Sequence, residues 1–484
     1  MDASSSRRKL RWLLVAWGLH GSAHAEPRTH AELTCVLDSG DLLGNGSGSA
    51  REEPPWQGVA SSRRGDESRV RLALAAAEPG FLLGMTTSAL LRVELGLNEP
   101  ALASASGLRD LSSSIAVSGR LLARTELTLR AFPFDTDYLR LGYLHALDWG
   151  GTDGARGESI FLQPAGAAPG LELSLRAPRV RLFSALKWAN VDDALRGRRR
   201  LWGVLSGGSA DLADALRVEG GFGFFQRPSG ALGAGAAPSL VEGASLRVVW
   251  HRGVHEPELS AEPFTPPPLS EETTLSAAPI GPGLALALEG VTLVQRLRRF
   301  ESPGAASLQP APAAALYGSA RGRIWAGHAA LTWRSLAFVQ RNDLRSSTGE
   351  SLPEGALERA ELAAWLGGSA MVRQLSLVPS LELGLRLPAA IEMPSVLPGF
   401  GQSLLAIEGA PGLQALPVGA GRLPVVAARL GARFQASASV ALAFFGEYQR
   451  NPNRVVFAPS SSGVTRSFAP ADRLALEAAA RARF

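Results

Sequence analysis

The chain has 484 residues and a formal net charge of +5, carried almost wholly by arginine, since lysine appears only at Lys9 and Lys187. It is 46% hydrophobic and holds one cysteine, Cys35, which excludes an intramolecular disulfide. No basic cluster is interleaved with aromatic residues, so a nucleic-acid surface is not expected. Nor does any apolar run after residue 25 approach the ~18 residues of a spanning helix.

The N-terminus comes first. Arg7, Arg8, Lys9 and Arg11 precede the apolar run WLLVAWGL (12–19) and the small-x-small triplet Ala23-His24-Ala25. That is the layout of a secretory signal peptide, residues 1–25, with cleavage expected after Ala25. SRRKLR (6–11) also approaches the twin-arginine pattern. Residues 26–67 form an N-terminal segment with one weakly alternating run, HAELTCVL (30–37), a candidate first strand. ELTC (32–35) is not a convincing lipoprotein cleavage site, and the glycines of DLLGNGSGS (41–49) lack the spaced carboxylates of a calcium loop.

From residue 68 to 484, alternation with period 2 recurs. ALLRVELGL (89–97) sets Leu91, Val93, Leu95 and Leu97 against Arg92 and Glu94. GRLLARTELTLRA (119–131) places Leu121, Ala123, Thr125, Leu127, Leu129 and Ala131 on one face. Arg120, Arg124, Glu126, Thr128 and Arg130 take the other. LSLVPSLELGLRL (375–387) opposes its leucines with Ser376, Ser380, Glu382 and Arg386. A helix would spread these charges around its circumference; strands sort them into two faces. Many of the runs have the ~9 to 11 residues that a tilted strand needs to cross a bilayer, against five or six in a soluble sandwich.

Short turns are expected near 78–80, 132–136, 177–178, 207–214, 327–328, 368–373 and 435–438. Long Pro/Gly/Ser-rich links are expected at 98–118, 148–169, 189–198, 228–243, 301–315, 342–357, 388–422 and 450–471. Short on one side and long on the other is the habit of transmembrane barrels. Residues 253–282 break the rhythm, being long where a turn belongs. The fold class expected is therefore all-β, a closed antiparallel transmembrane β-barrel of about 16–18 strands. Trp149, Trp188, Trp250, Trp325, Trp333 and Tyr448 fall near strand ends, as interfacial girdles do.

The chain finishes on RLALEAAARARF (473–484), with Leu474, Leu476, Ala478, Ala480, Ala482 and Phe484 on one strand face. A terminal Phe after alternating apolar residues resembles the carboxy-terminal signature of Gram-negative outer-membrane β-barrel proteins. Alanine stands where larger residues are usual in that family. The resemblance implies a porin-like barrel whose last strand, through Leu474, Leu476 and Phe484, is read by the barrel-assembly machinery. It implies residence in the outer membrane, among lipid and lipopolysaccharide.

Enzymatic constellations are thin, and no catalytic residue, metal site or cofactor is expected. His251 and His255 stand beside Glu256 where a strand meets a Pro-rich loop; His145 precedes Asp148; no serine sits beside a histidine in a recognisable motif. The charges on the polar face remain. Arg92, Glu94, Arg120, Arg124, Glu126, Arg130, Arg181, Lys187, Arg247, Glu382, Arg386, Arg429, Arg433 and Arg481 are expected to line a lumen, together with Arg71 and Arg217. Basic rings favour anions, and the intervening glutamates suit side chains paired across the wall. A channel for small hydrophilic solutes with mild anion preference is one expectation. A non-conducting barrel with a structural or surface role, its lumen filled by links such as LLAIEGAPGLQALPVG (404–419), is the other.

Overall fold

The computed structural model describes residues 28–38, 42–43, 67–82, 85–96, 108–110, 113–122, 124–134, 141–145, 147–148, 158–159, 168–193, 197–227, 239–253, 282–299, 302–340, 356–393, 401–406, 413–460 and 463–484. The leader 1–25, Trp149, His255 and the long segment 254–281 lie outside them.

Among the described residues, eighteen strands form one closed antiparallel wall. It opens with β1 (Arg28–Asp38), β2 (Glu67–Leu82) and β3 (Met85–Gly96). Next come β4 (Ser114–Leu122), β5 (Thr125–Phe132), β6 (Gly170–Arg176) and β7 (Val180–Asp193), with Leu108–Asp110 pairing on β3 ahead of β4. The long central staves are β8 (Gly197–Ala213), β9 (Leu216–Arg227), β10 (Ser239–Arg252), β11 (Gly283–Arg299) and β12 (Ser302–Arg321). The wall continues through β13 (Trp325–Arg334), β14 (Glu361–Ala370) and β15 (Leu377–Leu387). It ends with β16 (Val425–Gln435), β17 (Val440–Arg450) and β18 (Asp472–Arg483). Each strand pairs with its sequence neighbours, and β18 returns to β1 with Glu32 opposite Arg483 and Thr34 opposite Arg481. At the seam the Phe484 amide donates to the Ala31 carbonyl at 2.9 Å and Arg483 Nε donates to Glu32 Oε2 at 2.9 Å.

The final segment is thus a strand, although its residues favour helix. Pairing on both edges overrides local preference, because a strand that completes a barrel satisfies every backbone donor and acceptor it carries. Its faces divide as the alternation requires. Ala475, Glu477, Ala479 and Arg481 are buried inward, while Leu476 and Ala480 are exposed outward. The same division runs round the wall: outward leucines such as Leu288, Leu366 and Leu430 are 57–65% exposed. A continuous apolar belt of that extent belongs in hydrocarbon rather than water. Trp250, Trp325 and Phe434 mark its lower edge, at the short turns. Trp188 opposite Trp202, with Trp333 and Tyr448, marks the upper. Trp325 and Trp333 share β13; at ~3.3 Å per residue and ~40° tilt they stand about 20 Å apart in height, close to the belt of known barrels.

Several turns lie elsewhere than the alternation implied. The run 119–131 is a hairpin, turning at 123–124, so Arg124 is exposed at the turn and not on the wall. Among the described residues no wall strand lies between Phe132 and Gly170, so β5 is followed in the wall by β6. β8 passes straight through Gly207 to turn at 214–215, and β12 turns into β13 at 322–324 rather than 327–328. The links expected at 189–198 and 301–315 shrink to 194–196 and 300–301, because β7–β8 and β11–β12 pair almost to their tips. In 119–131 alternation continues across the turn and cannot mark it, and in 301–315 the Pro, Gly and Ser residues lie within β12 rather than in a link. The stretch 30–37 lies in β1, which supplies the eighteenth stave.

If closure at the seam is what the wall requires, deleting Arg481–Phe484 leaves backbone groups unpaired in hydrocarbon, at several kcal/mol each. The truncated chain is expected to accumulate as aggregate and to lose heat-modifiable migration on gels. Phe484→Ala, whose ring is 80% exposed and leaves the seam's backbone bonds intact, is expected to slow assembly and leave the finished barrel's melting unchanged.

Candidate functional site in the barrel lumen

The inward positions carry the charges. On the β9–β10 wall Arg247 Nη1 donates to Glu219 Oε2 at 2.9 Å, and Arg217 Nε lies 3.0 Å from Asp211 Oδ1. Glu172 on β6 is shared by Arg130 (3.4 Å) and Arg181 (3.8 Å). Arg334 Nε donates to Glu361 Oε1 at 2.8 Å between β13 and β14. Arg429 lies 3.8 Å from Glu477, with its guanidinium 3.9 Å over the Phe445 ring, and faces Glu382 in register. Lys187 is wholly buried. Arg92, Arg386 and Arg433 are half-buried on inward faces, Glu94 is buried, and Arg481 sits opposite Thr34 near the seam. Arg120 and Glu126 face each other at the lower rim. Period 2 placed these side chains because in a strand it is a direct statement of side.

Sequence reasoning missed what enters the lumen. Inside the connection from β5 to β6, residues Leu141–His145 form a hook that reaches the far wall. Glu289 of β11, buried and inward, accepts three successive backbone amides there. Tyr143 and Leu144 donate at 2.8 Å and His145 at 3.2 Å. Such a run of N–H groups round one carboxylate is an anion nest. Gly142 makes it possible: its φ is +85°, and a Cβ there would lie 2.6 Å from the His145 carbonyl and 3.0 Å from Glu289 Oε1. The Tyr143 ring takes the Arg247 guanidinium at 3.9 Å, and burial raises its hydroxyl pKa. His145 sets Nε2 3.1 Å from the Ala314 carbonyl and its ring edge-on to Phe338. Burial pushes its pKa below the ordinary histidine range, against the pull of Glu289. The side chain of Asp148, which follows His145 in the sequence, lies outside the described residues. Among the described residues no cluster of His, Cys, Asp or Glu has metal-holding geometry.

Apolar packing holds the hook down. Leu141 joins Phe183, Leu201, Leu205, Phe225, Val241, Leu293 and Phe338 in one buried cluster within the β7–β12 half of the barrel. Inward glycines are its sockets: a Cβ on Gly243 would come within 2.6 Å of Leu141, and one on Gly207 within 2.8 Å of Phe183. Phe338 arrives on a short helix, α1 (Leu336–Gln340), whose start Ser335 caps through Oγ at 3.2 Å. On α1's other side Leu336 and Val339 pack against Ile391 and Ala406 of a small sheet built from Leu357–Arg359, Ala390–Met393, Gln402–Ala406 and Leu413–Ala415. Described apolar residues of the 388–422 link, such as Ile391, Leu404, Ala406 and Leu413, are therefore spent on this sheet at the long-connection rim. Arg422 pins it, donating to the carbonyls of Ala360 and Pro388 at 2.8 and 2.7 Å.

Wall, belt and inward charges define the class: a porin-like, closed eighteen-stranded β-barrel of the outer-membrane type. No protein-family model matches the chain and no curated protein resembles it in sequence. Solved structures resemble it in fold. Pseudomonas aeruginosa OccK3 (OpdO) is 12% identical, covers 95% of this chain and 96% of its own, and superposes with a TM-score of 0.49. Acinetobacter baumannii OccAB1 is 8% identical over 95% and 96%, with a TM-score of 0.48. P. aeruginosa OpdK, crystallised with vanillate, is 10% identical over 95% and 98%, with a TM-score of 0.46.

The glycine sockets can be tested directly. Gly243→Ala overpacks Leu141 and is expected to cost about 1–3 kcal/mol, lowering the melting of the folded band and the exchange protection of residues 143–145. Gly290→Ala, on the same wall with nothing within 4 Å of its new Cβ, is expected to change neither.

Proposed function

We propose that this barrel lies in the outer membrane of a Gram-negative bacterium and passes small hydrophilic solutes by passive diffusion, with a mild preference for anions. The supporting observation is the asymmetry of the lumen. The β7–β12 half is packed with the hook and Phe338, whereas Arg386, Arg429, Arg433 and Arg481 stand on the β15–β18 half, with Arg92 beyond the seam. Among the described residues basic side chains outnumber carboxylates on the inward face. Most are bridged to carboxylates, so the field left over is weakly positive and the preference modest. On this reading the short turns face the periplasm and the long connections the exterior, lipid and lipopolysaccharide surround the belt, and the assembly machinery engages β18. No cofactor or catalytic step enters.

A second reading is supported by the packed half of the lumen: a non-conducting barrel whose inward segments are a core and whose capping sheet serves a surface role. Planar bilayers distinguish the two. The first expects discrete conductance steps and an anion-side reversal potential in a salt gradient. Replacing Arg386, Arg429, Arg433 and Arg481 by Gln is expected to lower the anion-to-cation permeability ratio roughly twofold or more. A folded, heat-modifiable barrel that stays silent sinks the channel reading in favour of the second. Release of the protein by carbonate sinks both.

A further inference from the structure

The buried groups that a passive channel does not need converge on the hook. Glu289 spends both carboxylate oxygens on the amides of Tyr143, Leu144 and His145. His145 is 1% exposed, and its Nε2 must be the donor because its partner, Ala314, offers a carbonyl oxygen. That leaves Nδ1 as a bare lone pair, and among the described residues no hydrogen-bond partner stands near it. The docked hook is therefore built for the neutral imidazole. A second proton would put an N–H and a full charge where nothing accepts either.

We propose that Glu289 and His145 form a proton-sensitive latch which holds the hook against the wall near neutral pH and releases it on acidification, changing the bore of the channel. The change of bore rests on the channel reading above; the latch itself does not.

The charges around His145 come from every packed element. Glu289 approaches from β11, Arg334 from β13 and Glu361 from β14, the last two bonded to each other. β12 contributes the Ala314 carbonyl, and α1 the Phe338 ring; Tyr317 of β12 lies beside Tyr143 instead. Beside Tyr143 lie Arg247 of β10 and Glu219 of β9, also bonded to each other. Glu289 is the largest influence favouring the imidazolium, with the Ala314 carbonyl and Glu361 adding to it and Arg334 opposing. The Glu289 oxygens are already committed. Burial outweighs these pulls, so the docked pKa lies below that of the released, solvated ring, near 6.5. The sign follows. Docking is at full strength above ~6.5, and below it the released form binds the extra proton. Docking then weakens by up to about tenfold per pH unit until the docked pKa is reached.

Hydrogen exchange of the full-length barrel in detergent reads the latch without conductance. Protection factors, corrected for intrinsic rates, are expected to fall at least tenfold for the amides of 143–145 between pH 7.5 and 5.0. Amides of β14–β17 should be unmoved. His145→Gln keeps a donor for Ala314 but cannot charge, and its protection should be the same at both pH values. Glu289→Gln should lower protection at both. Wild-type protection constant within twofold overturns the latch, as does a full fall retained in H145Q. In bilayers the wild type should change conductance at least twofold over this range and H145Q should not. A barrel silent at both pH values, with pH-dependent protection, refutes the channel reading and upholds the latch. A conducting barrel with pH-independent amides does the reverse.

Discussion

A backbone amide in hydrocarbon finds no water, so every N–H and C=O of a spanning chain must be matched within the protein. Helices meet this demand locally, but among the described residues no helix is long and apolar enough to cross. Strands meet it only by closing on one another. The whole molecule therefore hangs on one seam, where Ala31 and Phe484 exchange two backbone bonds and β1 lies beside β18. The seam unites residues some 450 positions apart, so it forms only when the sixteen staves between are in place. Closure also explains the choice of strand for an alanine-rich terminus that would otherwise wind into a helix.

Closure divides the side chains and gives each face its own solvent. Outward, leucine, valine and tryptophan meet lipid and need no complement. Inward, a barrel this wide cannot be filled by wall side chains alone. One half is filled instead by imported residues: Leu141 from one connection and Phe338 from another, seated in places cleared by glycine. This half is a hydrophobic core in the ordinary sense, lying within the wall. It fixes the hook and, through α1, the capping sheet, so inner packing and outer rim are mechanically joined.

The inward charges follow from the same closure. A guanidinium held in a confined wall needs partners, and the wall supplies carboxylates one strand away, as in Arg247–Glu219 and Arg334–Glu361. Breaking one member of such a pair strands the other, at about 3–5 kcal/mol where both are buried. These pairs hold the wall's register as much as they set a field. On the channel reading, any selectivity comes from the excess of basic over acidic side chains on the inward face among the described residues.

The sequence by itself determined the strands, their faces and the approximate size of the ring, because period 2 depends only on neighbours along the chain. The expectation that Arg247, Arg429 and Lys187 line the inner face rests on that same alternation. Sequence alone did not place Arg124, since the alternation of 119–131 runs unbroken through a turn, nor the long hairpins, whose tips carry no punctuation. Glu289 was invisible: a lone glutamate in LALALEGVTLV looks like any lumen carboxylate until Gly142 and three amides are brought to it. The hook on Glu289, the Gly243 socket for Leu141 and the packing of His145 on Phe338 are contacts between segments more than a hundred residues apart. No periodicity encodes such a contact, so only the tertiary structure could decide what fills the barrel and what stays open.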